Sequence, residues 1–255
     1  MLLAEERKDT IIQMLEEEGS VKVSKLTKQF DVSIETIRRD LESLEKEGLL
    51  KRVYGGAVLK RNEIQKLNYI NREKEFIDEK REIAKIAIKY IEDGQSIALN
   101  DSTTNIEIAR ELKNNFKEIT VITNSLMIAS ELEDAEGFTV ILAGGILNNK
   151  ERAFFGELPK KFLSNFIADK AFISVSGVSL IRGITDFMPE EVQIERKLIE
   201  ISQETIILAD SSKMDKISLI KLEDIHEVNL IITDSKLDPK IMNNYMKNGI
   251  EIVNE

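Results

Sequence analysis

From Arg81 onward the chain alternates short apolar runs with longer amphipathic stretches, and this alternation limits the fold more than any other feature. The runs are "SIALN", "ITVITN", "FTVILAGG", "KAFISVSG", "TIILADS" and "VNLIITD". Nearly continuous apolar runs of this length suit strands buried on both faces. Between most of them lie helical patterns such as "NIEIARELKNNF", "SLMIASELED" and "EEVQIERKLIEI". A further amphipathic helix, "EIAKIAIKYIEDG", precedes the first run and is predicted to end at Gly94. This βα order predicts an α/β fold, a parallel sheet covered on both sides by helices. The late run "GIEIVN" can add a strand.

In open sheets of this kind, ligands bind beyond the carboxyl ends of the strands. Several predicted strands end in polar or glycine-rich tips. "SIAL" leads into Asn100, Asp101, Ser102, Thr103 and Thr104; "TVIT" leads into Asn124 and Ser125. "VILA" leads into Gly144 and Gly145, and "IILA" into Asp210, Ser211, Ser212 and Lys213. Hydroxyls and free N–H groups at helix starts suit a phosphate, and a lysine adds a point charge. The candidate ligand set is therefore Asn100, Asp101, Ser102, Thr103, Thr104, Asn124, Ser125, Gly144, Gly145 and Lys213.

The N-terminal part has a different character. Three short helices are predicted: about 5–18 ending at Gly19, about 23–30, and a third starting after Ser33. Ser33 is placed as its N-cap, with Val32 and Ile37 as a hydrophobic staple. Ile34, Ile37, Leu41 and Leu44 form the expected buried stripe, and Gly48 ends the helix. A rotation of about 100° per residue then turns Glu35, Thr36, Arg38 and Arg39 outward, all within the first two turns. In helix-turn-helix proteins this part of the second motif helix reaches base edges. Arginine suits the task, because its fork can donate twice to guanine or clamp a phosphate. The next segment, "LLKRVYGGAVLK", reads as two short strands around Gly55 and Gly56, a wing with Lys51, Arg52 and Tyr54 beside it. The expected DNA-facing set is Ser33, Glu35, Thr36, Arg38, Arg39, Lys51, Arg52, Tyr54, Gly55 and Gly56.

Charge follows the same division. The whole chain of 255 residues has 36 Lys+Arg against 46 Asp+Glu, a formal net charge of −10. Residues 20–61 nevertheless hold ten basic and six acidic side chains. A positive segment on an acidic protein fits a nucleic-acid-binding module.

Composition excludes several classes. There is no cysteine, which removes disulfides, thiolate catalysis and cysteine-ligated zinc. The single histidine, His226, makes a His-based triad or multi-His metal site untenable, so neither metal nor cofactor is expected. No apolar run approaches the length of a membrane span. The start "MLLAEERKDT" lacks a cationic n-region and a long apolar h-region, so no signal peptide is expected, and a cytoplasmic location is.

The segment "VSKLTKQFDVSIETIRRDLESLEKEGLLKRVYGGA" closely resembles the head of DeoR-type bacterial transcriptional repressors. One departure is Tyr54, where that family frequently has a histidine; both are ring donors. The resemblance continues through Thr103 and Thr104, Thr123 and Asn124, Gly144 and Gly145, Asp210 to Lys213, and Thr233 and Asp234. It implies a winged helix-turn-helix joined to a sensor domain with the fold of ribose-5-phosphate isomerase. It also implies a repressor of carbohydrate metabolism, released from operator DNA by a phosphorylated sugar or sugar alcohol. Two positions depart from the sensor pattern. Ser102 replaces a glycine with the carboxylate of Asp101 displaced by one position, and Asn148 and Asn149 stand where an arginine is common. Both bear on which ligand binds.

The expected organisation is a DNA-binding domain over 1–57, a linker over 58–80 and a sensing and oligomerisation domain over 81–255. A short site read by one small head favours a homodimer or larger assembly. The competing expectation is an isomerase-like enzyme fused to a DNA-binding head. That chemistry needs a general base beside a carbonyl. Ser176 and Gly177 stand where the related isomerases carry acids, leaving Asp186 and Glu191 as candidate acids. The enzyme reading is therefore the weaker one.

Overall fold

The structure, a computed structural model, describes residues 4–18, 20–46, 50–53, 55–58 and 72–255. Gly19, Gly48 and Tyr54, named above, lie outside them. The chain divides into two compact units, Met1–Glu73 and Lys74–Glu255. The second unit thus begins within the stretch read as linker.

In the first unit, α1 (Ala4–Glu18), α2 (Val23–Phe30) and α3 (Ile34–Lys46) accompany three short strands. These are β1 (Ser20–Lys22), β2 (Lys51–Val53) and β3 (Gly56–Val58), antiparallel in the order β1-β3-β2. The core is built from Ile11 and Leu15 of α1, Leu26 and Phe30 of α2, and Ile37, Leu41 and Leu44 of α3. Leu50 and Ala57 close it from the wing side. Ile34 departs from the predicted stripe: as the first residue of α3 it is 54% exposed. Asp40 is buried on that helix instead, because it meets an arginine of α1. The wing's two glycines have separate reasons. Gly55 turns the chain at φ +80, and a Cβ on Gly56 would collide with the Val21 carbonyl oxygen of β1.

The second unit is built on a seven-stranded parallel sheet. Its strands are β4 (Ser96–Leu99), β5 (Thr120–Thr123), β6 (Thr139–Leu142), β9 (Ala168–Ser174), β12 (Ser202–Leu208), β14 (Leu230–Ile232) and β15 (Ile252–Val253). All six predicted runs, and the late "GIEIVN", lie in it. Consecutive residues of β4, β9 and β12 are buried whichever way they point, so both faces of the sheet are covered. Five helices complete the main layers: α4 (Ile77–Ala87), α5 (Thr103–Asn115), α6 (Leu126–Glu131), α7 (Glu157–Leu163) and α8 (Pro189–Glu200). A sixth, α9 (Pro239–Lys247), leads into the last strand.

The strand order is β15-β14-β12-β9-β4-β5-β6. The chain first runs outward from β4 through β5 to β6, then returns to the other side of β4 at β9 and proceeds to β15. The order therefore reverses between β4 and β9. In doubly wound sheets, ligands bind at such a reversal.

Two smaller sheets escape the simple βα reading. They are the hairpin of β7 (Ile146–Asn148) and β8 (Ala153–Phe155), and an antiparallel sheet of β10 (Gly177–Ser179), β11 (Gly183–Asp186) and β13 (Ile220–Glu223). Their strands are three or four residues long, too short to show a period in sequence. The helix predicted to reach Gly94 instead starts at Ile77, ends at Ala87 and passes into a 3-10 turn over Ile88–Tyr90.

Candidate nucleic-acid interface and ligand site

In the first unit, Ser33 caps α3 as its sequence predicts. Its Oγ accepts from Thr36 N at 3.1 Å and lies 2.9 Å from Thr36 Oγ1. With Ile37, Leu41 and Leu44 turned into the core, Glu35, Arg38 and Arg39 remain exposed. Lys51 is exposed on β2. Arg52 is exposed too, but it is engaged: its Nε donates to Glu45 Oε2 at 2.6 Å, and its backbone N–H to Glu45 Oε1 at 2.8 Å. The wing is thereby fastened to α3. The turn is fastened as well, since Val23 N–H donates to Gly55 O at 2.9 Å. A groove between α3 and the wing is lined by Arg38, Arg52, Val53, Gly55 and Gly56. An exposed helix N-terminal half with two arginines, beside a basic wing, fits the major groove and its flanking phosphates.

In the second unit, the predicted ligand residues gather at the carboxyl ends of the strands, but they do not do the same job. Asn100, 3% exposed, sits at the reversal point. Its Nδ2 donates to Ser174 O at 2.9 Å and to Glu195 Oε1 at 2.8 Å. Its Oδ1 accepts from Ser174 N at 3.0 Å and from Asn105 Nδ2 at 2.7 Å. Every hydrogen-bonding position of this side chain is thus filled within the protein. It stitches the tip of β4 to the tip of β9 and to α5 and α8.

Asp101 and Asn124 join the first two tips, with Asn124 Nδ2 donating to Asp101 Oδ1 at 2.8 Å. Asn124 is fully buried, and its Oδ1 has no hydrogen-bond partner. Ser102 caps α5 by accepting from Asn105 N at 3.0 Å, and Ser125 caps α6 by accepting from Ile128 N at 3.3 Å. Thr103 begins α5, and Thr104 is buried with its Oγ1 3.5 Å from Ser174 Oγ. Gly144 and Gly145 lie exposed beyond β6. Lys213 stands in a 3-10 turn after β12, with its Nζ 3.5 Å from Asp210 Oδ2. Asp234, fully buried at the tip of β14, accepts from Ser211 N and so holds that turn.

One residue was missed in the sequence. Glu195 of α8 is 2% exposed, accepts from Asn100 through Oε1, and has an Oε2 with no hydrogen-bond partner. Burial pushes its carboxyl well above the ordinary value, and Asp186, Glu191 and Asp101 push it further. A signal was present. Glu191, Glu195 and Leu198 recur at helical spacing on the buried face of α8. Asp186, one of the candidate acids, is committed: its carboxylate accepts from Ser176 N at 3.0 Å and Ser176 Oγ at 2.8 Å. His226 is exposed in a turn whose preceding Asp224 caps it. Among the described residues, no three His, Asp or Glu side chains converge as a metal-ligand set. Among the same residues, no helix is long and apolar enough to cross a membrane.

A winged helix-turn-helix with an exposed arginine pair, in one chain with an α/β unit whose strand tips gather polar side chains, defines a two-domain DNA-binding regulator of the ligand-responsive kind. The DeoR-like helix-turn-helix domain matches residues 7–63, and the DeoR C terminal sensor domain matches residues 75–235. The chain belongs to the DeoR family.

The HTH-type transcriptional regulator GolR of Listeria innocua is 35% identical over 247 residues, covering 97% of each chain. The glycerol-3-phosphate regulon repressor of Escherichia coli is 30% identical over 237 residues, covering 93% of each. Among solved structures, ribose 5-phosphate isomerase A of Methanocaldococcus jannaschii is 20% identical and covers 55% of each chain, with a TM-score of 0.40. A likeness that weak carries no argument about chemistry. The relatives that match along nearly the whole chain are regulators. The protein is accordingly a transcriptional regulator, and the isomerase expectation falls away.

Proposed function

We propose that this regulator represses a carbohydrate operon and leaves its operator when a phosphorylated sugar or sugar alcohol occupies the crevice at the strand tips. The observation that carries the reading is the stitching of β4, β5 and β9 at the reversal point by Asn100, Asp101 and Asn124. It makes a rigid polar floor where parallel sheets bind small molecules. The name of the glycerol-3-phosphate regulon repressor, a relative along nearly the whole chain, supports a phosphorylated effector.

In this reading Ser33, Glu35, Thr36, Arg38 and Arg39 face the major groove, while Lys51, Arg52, Tyr54, Gly55 and Gly56 follow the adjacent backbone. Ser102, Thr103, Thr104 and the first N–H groups of α5 receive the phosphate, with Lys213 as counter-charge. Asn124 and Ser125 hold the sugar, Gly144 and Gly145 leave room beside it, and Asn100 and Asp101 set the floor. The protein works as a cytoplasmic homodimer or larger assembly. Exposed apolar residues of the second unit, among them Ile181, Ile217 and Leu219, support association through that unit.

An effector shifts operator affinity only through a difference in its affinity for the two states. Lys213→Ala keeps operator binding and needs roughly ten- to a hundredfold more effector for release, the equivalent of a charge-assisted bond of about 1.5–3 kcal/mol. Release of a labelled operator fragment, followed by fluorescence anisotropy across phosphorylated and unphosphorylated sugars, tests this. Equal potency of a sugar and its phosphate, or a wild-type response from Lys213→Ala, overturns it.

A further inference from the structure

Glu45 is an acid in a place that disfavours acids. It is the penultimate residue of α3 (Ile34–Lys46), where the helix dipole works against a negative charge. It also lines the groove between α3 and the wing, about 680 Å³ in volume, together with Arg38 and Arg52. With α3 and the wing read as the DNA-binding surface, a carboxylate in that groove repels the phosphates that the two arginines attract.

The geometry shows what the carboxylate does there. The sheet order β1-β3-β2 leaves β2 at an edge, with the N–H groups on its outer side unpaired by any strand. Glu45 Oε1 accepts the Arg52 backbone N–H at 2.8 Å, and Oε2 accepts from Arg52 Nε at 2.6 Å. One side chain thus ties both the strand and the guanidinium to the helix that carries Arg38 and Arg39. The turn of the wing is held separately, by Val23 N–H on Gly55 O at 2.9 Å. Exposed ion pairs add little to stability, and with side chains 34% and 43% exposed Glu45 and Arg52 are of that kind. What the pair supplies is placement. Glu42 gives the contrast, since it lies on the neighbouring turn of α3 and pairs with Lys46 of its own helix at 3.1 Å. Glu45 raises the Arg52 guanidinium through its hydrogen bond first, whereas Glu42 acts on it through charge alone.

We propose that Glu45 is a positioning residue for operator recognition. It reads no base and clamps no phosphate; it holds β2 against α3 so that Lys51 and Arg52 reach the backbone while Arg38 and Arg39 lie in the major groove. Loose attraction to DNA needs only positive charge, which Glu45 diminishes. Docking on an operator needs helix and wing in register with each other, which Glu45 secures. Its net effect is to favour the operator over other DNA.

The test uses the full-length protein and two duplexes of equal length, one selected by the wild-type protein from a random pool and one unrelated. Both are titrated by fluorescence anisotropy at one salt concentration. Glu45→Ala is expected to bind the selected duplex about three- to tenfold more weakly, and the unrelated duplex as tightly as wild type or more tightly. Glu45→Gln, which keeps an oxygen for the Arg52 N–H, is expected to lie between wild type and Glu45→Ala on the selected duplex. Glu42→Gln removes the same charge without touching the wing, and is expected to leave the ratio of the two affinities at its wild-type value. A ratio that Glu45→Ala leaves unchanged overturns the proposal, whether both affinities rise, stay or fall together. So does a Glu42→Gln protein whose ratio drops as far as that of Glu45→Ala, because charge alone then accounts for the effect. Should Glu45→Ala not fold, the ratio for Glu45→Gln decides by the same criterion. A wild-type protein that selects no duplex from the pool overturns the DNA-binding surface itself, and the role of Glu45 with it.

Discussion

Arg7 Nε lies 2.6 Å from Asp40 Oδ2, and Arg7 Nη2 lies 3.1 Å from Asp40 Oδ1, with 8% of either side chain exposed. This bidentate pair bolts α1 to α3, the helix that carries Arg38 and Arg39. The hydrogen bond to Asp40 holds the Arg7 guanidinium above its ordinary value, against the opposing effect of burial. Removing one partner of a buried pair leaves a charge uncompensated. Asp40→Ala should therefore destabilise the N-terminal unit by about 3–5 kcal/mol. Hydrogen exchange of α1 and α3 amides in the full chain checks this, with amides of the seven-stranded sheet as the internal control.

The exposed arginines give a prediction about sequence reading. Arg39→Ala should weaken operator binding by about 1–3 kcal/mol if it pairs a base. Lys51→Ala should weaken all DNA sequences alike and lower the salt slope by about one ion. Anisotropy titrations at several salt concentrations separate the two effects. An Arg38→Ala/Arg39→Ala double variant with unchanged operator affinity would remove α3 as the reader.

The wing depends on a close backbone approach. A Cβ at Gly56 meets the Val21 carbonyl oxygen, which belongs to β1 and cannot swing away as a side chain would. Gly56→Ala should displace β3 and cost about 1–3 kcal/mol of local stability. Operator affinity is expected to fall, while thermal unfolding of the Lys74–Glu255 unit is unchanged.

Glu195 predicts a pH dependence of stability. Its folded carboxyl titrates above the ordinary value of 4.5, so between the two values the folded chain holds a proton that the unfolded chain has lost. The stabilising contribution is full below 4.5 and is lost as pH rises through the raised folded value. Glu195→Gln should flatten this decline. Urea unfolding of wild type and variant at a series of pH values measures it. A constant difference between the two proteins at every pH would show that Glu195 titrates alike in the folded and unfolded chain.

Much of this architecture was legible before any coordinates. The six apolar runs read as strands of a covered parallel sheet, because their length and near-continuous apolarity suit two-sided burial, and "GIEIVN" could add a strand. The Ser33 cap and the glycine-turned wing were legible too, since both depend on a few neighbouring residues. Tertiary structure alone decided the rest. That the strand order reverses between β4 and β9 follows from crossover connections, which leave no local mark. Asn100 reads as a ligand residue in sequence, yet it closes a ring of bonds with Ser174, Asn105 and Glu195, and those partners come from three other elements. Asp40 and Glu195 show the same limit, because an acid on an amphipathic helix normally faces water. Whether it is buried depends on a partner or a crevice that only the folded chain brings to it.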